Sequence, residues 1–105
     1  MTDNRYVQLN YDISYPAFRT NFDSLAGNFA KSALNHLNGE DPILLRTMGG
    51  SIPISPFVDT LNIPALSVPT VNPDNNQHSP NENIRVGNFI EGIATIAAVL
   101  AEKVE

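Results

Sequence analysis

Asp74, His78 and Glu82 fall within one short stretch rich in asparagine and proline. A neutral imidazole offers a lone pair to a divalent ion such as zinc, and a carboxylate beside it can orient the ring through its other nitrogen. The competing reading of His78 is a solvated loop histidine, because a lone His without a second ligand at regular spacing is weak evidence for a metal. Pro80 argues against a helix there, so the helical two-histidine zinc pattern does not apply. There is no cysteine, which excludes thiolate ligands and disulfides and leaves any metal to His and carboxylates. His36, just before Asn38-Gly39, reads as a cation-capable side chain near a helix carboxyl end.

Gly49-Gly50-Ser51 is a third place where chemistry is conceivable. A phosphate cradle would need a longer glycine spacing and a lysine, and a nucleophile elbow would need glycine where Pro53 stands. What remains is close approach of bare backbone to a ligand or to another strand.

These residues need elements to hold them. Val7, Leu9, Tyr11 and Ile13 alternate with polar residues and predict a half-buried strand over 6–13, ended by Pro16. Asn21 or Asp23 can cap a helix whose stripe is Phe22, Leu25, Phe29, Ala33 and Leu37, and which stops at Asn38-Gly39. The apolar runs 43–47 and 65–68 read as buried strands, joined through a helix starting at Ser55-Pro56 with the serine as cap. Two such strands linked through a helix imply parallel pairing, hence an α/β fold with a mostly parallel sheet and flanking helices. The segment 69–83 has no hydrophobic period and exceeds the usual connection of about 4–6 residues, a length associated with function. A last helix follows from about Arg85, with Val86, Phe89, Ile90, Ile93, Ala97, Leu100 and Val104 on its stripe. The loop thus joins a strand end to a helix start, where open α/β sheets bind ligands.

The chain has 105 residues, enough for one domain that hides roughly 60–70% of its unfolded surface. A net charge of -5 without any basic cluster excludes nucleic acid and anionic lipid as natural partners. The apolar run 93–101 is too short to cross a bilayer, which needs about 20 residues, so the chain is expected to be soluble; its compartment is left open.

Three segments in order carry a resemblance: Met48-Gly49-Gly50-Ser51-Ile52-Pro53-Ile54, Asn62-Ile63-Pro64-Ala65 and His78-Ser79-Pro80-Asn81-Glu82. Together they resemble the carboxyl-terminal part of the catalytic domain in the dinuclear zinc metallopeptidases, a family that includes carnosinase-type and bacterial dipeptidases, aminoacylase and glutamate carboxypeptidases. The resemblance implies a division at residue 14: residues 1–14 as the end of the lid or the strand returning from it, and 15–105 as the carboxyl-terminal portion of the catalytic domain. It implies His78 as one metal ligand, Glu82 as a carboxylate supporting it, and Gly49, Gly50 and Ser51 as backbone lining the substrate pocket. Arg46 stands one place out of register with an arginine of related dipeptidases, so no substrate role follows for it.

The same resemblance implies two zinc ions in a full-length parent that hydrolyses the amide bond of dipeptides or N-acylated amino acids through metal-activated water. The bridging Asp, the general-base Glu and the other ligands of such enzymes lie upstream of the resembling segments, so this chain alone is expected to be inactive. The alternative is a stand-alone structural or interaction module on a peptidase-derived scaffold. Unpaired edges of an incomplete parallel sheet predict self-association.

Overall fold

The computed structural model describes residues 9, 10, 12, 14–50 and 52–104. Three helices form: α1 over Leu25–Asn38, α2 over Ser55–Leu61 and α3 over Val86–Ala101. Among the described residues there is no strand, so the expected α/β fold with a parallel sheet is not what forms. The runs 43–47 and 65–68 are irregular, with a bend at residue 46, and neither is part of a helix or strand. Apolar character makes a strand only when a second strand lies about 4.8 Å away to take its hydrogen bonds, and among the described residues neither run has one. Ile43 is 90% exposed and Leu45 69%, whereas Ala65, Leu66 and Val68 are half-buried, with the Ala65 N–H donating to Thr20 Oγ1 at 3.1 Å. The expected first strand, 6–13, lies mostly outside the described residues, as does most of the expected lid segment 1–14.

The helix ends follow local rules more closely than the sheet does. Gly39 closes α1 at φ 76°, a left-handed residue that glycine adopts without steric cost, and its N–H donates to the Asn35 carbonyl. The amino-terminal cap is Ser24, not Asn21 or Asp23: its hydroxyl accepts the Gly27 N–H at 3.1 Å. Asn21 instead spends its side-chain oxygen on the Asp23 N–H, closing the turn before the helix. Gly27 is needed for another reason, since a Cβ there would stand 2.1 Å from the Phe22 carbonyl oxygen. At α2 the expected serine cap is also displaced. Ser55 lies inside the first turn with Pro56 following, Ile54 holds the cap position, and the buried Ser55 hydroxyl has no hydrogen-bond partner.

Helix packing among the described residues is confined to α1 against α3. On α3 the covered positions are Asn88, Gly92, Thr95, Ala98 and Val99, continued by Glu102 just past its end, and their spacing puts them on one side. That side is small and polar. The bulky stripe expected to be buried is exposed: Val86 74%, Ile90 60%, Leu100 81%. Ala33 is the one fully buried hydrophobic residue described. The radius of gyration is 18.0 Å, against about 13 Å for a compact domain of this length, so the chain packs a helix pair and a loop without enclosing a large core.

Candidate functional site

The segment between residue 69 and α3 is a loop, as expected, and it is closed by its own side chains. Asn72 is its centre and is 1% exposed. Its Nδ2 donates to Asp74 Oδ1 at 2.8 Å and to Asn83 Oδ1 at 3.3 Å, while its Oδ1 accepts the Arg85 N–H at 3.0 Å. One carboxamide therefore ties the start of the loop to the residue that caps α3. Arg85 adds an ion pair to Asp74 Oδ2 at 2.5 Å. The Asn72 hydrogen bond, then a backbone N–H and last the Arg85 charge, hold the Asp74 carboxyl below its usual range.

Further out, the Asn83 N–H donates to the Asn75 carbonyl at 2.9 Å, and Asn75 Oδ1 accepts the Gln77 N–H at 2.9 Å. The Asn76 carbonyl accepts both the N–H and the hydroxyl of Ser79. These are the bonds that short polar side chains make to nearby backbone, and they explain why an asparagine-rich sequence takes a defined path without helix or sheet. Three residues take left-handed backbone angles: Asn76 at φ 53°, His78 at 61° and Asn81 at 63°. Asparagine tolerates this region, and histidine is among the few other side chains enriched there.

His78 is exposed, and its ring makes no hydrogen bond among the described residues. Glu82 is likewise exposed, just after the last turn of the loop. Gly49 and Gly50 stand in an exposed, irregular segment, with Gly50 at φ 132°. Among the described residues nothing comes within 4 Å of where a Cβ would sit on either glycine, so no described segment makes the close approach that bare backbone permits. Ser51 lies outside the described residues. Arg46 stacks over the Phe22 ring at 5.6 Å, and Arg19 donates to Thr47 Oγ1 at 3.2 Å, which fastens the segment before the glycines to the approach of α1.

His36 does more than face a helix end. Its Nδ1 lies 2.9 Å from Glu102 Oε2, and Ser32 donates to Glu102 Oε1 at 2.8 Å, so one carboxylate just past α3 joins two residues of α1. Both contacts hold the Glu102 carboxyl below its usual range, the His36 bond most strongly. Ser, Glu and His here are not a nucleophile relay: the serine hydroxyl donates to the carboxylate, whereas activation requires it to donate to the imidazole. The cluster is a clasp between helices.

The described residues bring together no group of three His, Cys, Asp or Glu able to hold a metal ion. The donor set is a single free imidazole on a fixed loop, which suits one ligand of a shared centre and does not suit a complete site. No described helix is long and apolar enough to cross a membrane.

Asn72, Gly27, Gly92 and the Ser32–Glu102 link are contributions that spacing alone does not single out. Gly92 is the contact point of α3 with the loop's start, since a Cβ there would sit 3.0 Å from Thr70 Cβ. The density of asparagine in 72–83 was the available sign of a loop closed by its own amides.

Over 72 residues, 68% of its length, the chain is 43% identical to the Cys-Gly metallodipeptidase DUG1 of Saccharomyces cerevisiae. By this match the chain carries a segment of the metallodipeptidase family, as its motifs imply. It spans 15% of that relative's length. No family model matches the chain, and no solved structure gives a significant match.

Proposed function

We propose that residues 15–105 form the carboxyl-terminal portion of the catalytic domain of a metal-dependent dipeptidase, with His78 supplying one ligand to a zinc centre whose other donors belong to the rest of a longer protein. The observation that carries this reading is His78 itself: an exposed ring free of hydrogen bonds, held on left-handed backbone by a loop that closes on itself. A metal at such a centre polarises the scissile carbonyl and lowers the pKa of a bound water to about 7. This chain's own part is to present the imidazole and keep its approach fixed. Glu82, four residues on, is proposed as the carboxylate that supports this ligand, and the open backbone of Gly49 and Gly50, with Ser51, as pocket wall.

The substrate class is the amide bond of dipeptides or N-acylated amino acids, with Cys-Gly the first compound to try, given the activity in the relative's name. One imidazole cannot hold a dinuclear centre, so the chain alone is proposed to be inactive. The decisive measurement is zinc content of the full-length parent carrying His78→Ala. Loss of about one ion per subunit is expected; unchanged content would remove the ligand assignment. Metal-dependent turnover of Cys-Gly by the 105-residue chain itself would contradict the proposed inactivity.

Self-association of the isolated chain is also proposed, on different grounds from sheet edges. Phe89, Ile93, Ile96 and Leu100 leave an apolar face on α3 in water. Sedimentation equilibrium should show mass rising with concentration, and a monomer throughout would count against it.

A further inference from the structure

We propose that Asn72 is the positioning residue for His78, setting the direction in which the loop offers its imidazole; this rests on the reading of His78 as a metal donor. Asn72 is six residues away from His78 in sequence and is not itself a ligand in this proposal. Its side chain is buried to 1% exposure, and both ends of the carboxamide are occupied. The donors hold Asp74 and Asn83, which bracket His78, and the acceptor holds Arg85 at the start of α3. The outer bonds, Asn83 N–H to Asn75 and Ser79 N–H to Asn76, lie inside the ring that Asn72 closes. Without that closure the turn that carries His78 at φ 61° is left to the short bonds from Ser79 to Asn76 and from Asn83 to Asn75 and to the exposed Arg85–Asp74 pair, and as these open the backbone relaxes toward ordinary negative values and the ring swings with it. A residue acting through a ligand in this way commonly changes metal affinity 10–100-fold when removed, roughly what a lost outer partner costs.

The test has two arms. In the isotopically labelled 105-residue chain, Asn72→Ala should raise amide hydrogen exchange at Ser79 and Asn83 about tenfold or more, and shift the His78 Cα and Cβ resonances off left-handed values. Amides within α1 should keep their protection. Asn72→Asp retains the acceptor for the Arg85 N–H but replaces the donors with oxygen facing Asp74, so it should match alanine at His78 and spare the Arg85 amide. This second variant serves if alanine disturbs the helix pair. In the full-length parent, zinc binding should weaken about 10–100-fold at one site with either variant. Unmoved His78 resonances in both variants, or unchanged zinc affinity despite a released loop, would overturn the proposal. His78→Ala in the same parent separates the two ideas. If it costs an ion while Asn72→Ala does not, the ligand stands and the positioning role falls; if it costs none, the ligand reading is what failed.

Discussion

Two irregular segments of similar length, 39–54 and 69–85, behave in opposite ways. The second is rich in asparagine and closes on itself: most of its hydrogen bonds join residues within a few places of each other, and one buried carboxamide links its ends. The first is rich in isoleucine, leucine and glycine, and those side chains stand in solvent, with Leu44 43% and Ile52 48% exposed. Among the described residues its ties to the rest of the chain are few: Asn35 donates to Asp41, Arg19 to Thr47, and Arg46 stands over the Phe22 ring. Polar closure is local and travels with the segment, whereas an apolar run acquires shape only from whatever it packs against.

The contrast is easiest to break with a protease. Trypsin should cut after Arg46 at least about tenfold faster than after Arg85, whose N–H is held by Asn72, because cleavage follows local opening. Equal rates, read by mass spectrometry over time, would mean that the two segments are alike. Next in size, Gly27→Ala should lower stability by about 1–3 kcal/mol, the usual cost of forcing a methyl group into filled space. Here the obstacle is backbone, the Phe22 carbonyl, so the start of α1 must shift; urea titration followed by circular dichroism measures it. Ser24→Ala should cost about 1 kcal/mol by the same measurement, since it strands the Gly27 N–H.

Acidification probes the clasp. The Glu102 carboxyl is depressed in the folded chain below its ordinary value of 4.5, so its contribution is full above that value and is lost as pH falls through the lower folded one. Contact between α1 and α3 should therefore loosen at acid pH, and Glu102→Gln should flatten that part of the profile. Smallest of all, Gly49→Ala should leave stability within about 0.5 kcal/mol, because nothing stands near the added methyl. A larger loss would show that the first segment is packed after all.

The same division explains what the amino-acid sequence discloses. The glycine stop of α1, the proline-started α2, the loop and the span of α3 all depend on residues within a turn or two, and they are legible. The sheet depended on partners that apolar runs cannot name. The cap of α1 shows the limit at finer scale: Asn21, Asp23 and Ser24 are all competent, and only the turn made by Asn21 leaves Ser24 in place. Of the site, the place of His78 in an exposed loop is legible from composition. The importance of Asn72 is not, because five asparagines in 72–83 look alike until one of them is buried.

The outward-facing ridge of α3 bears on calorimetry. The chain keeps 9230 Å² accessible, against roughly 16,500 Å² for an unfolded polypeptide of its mass, so melting wets little new hydrocarbon. The heat-capacity increment of unfolding scales with that newly wetted area, and so does sensitivity to denaturant. The isolated chain should melt over a broad temperature range with a nearly flat stability curve, and a protein that covered the ridge would restore a sharp transition.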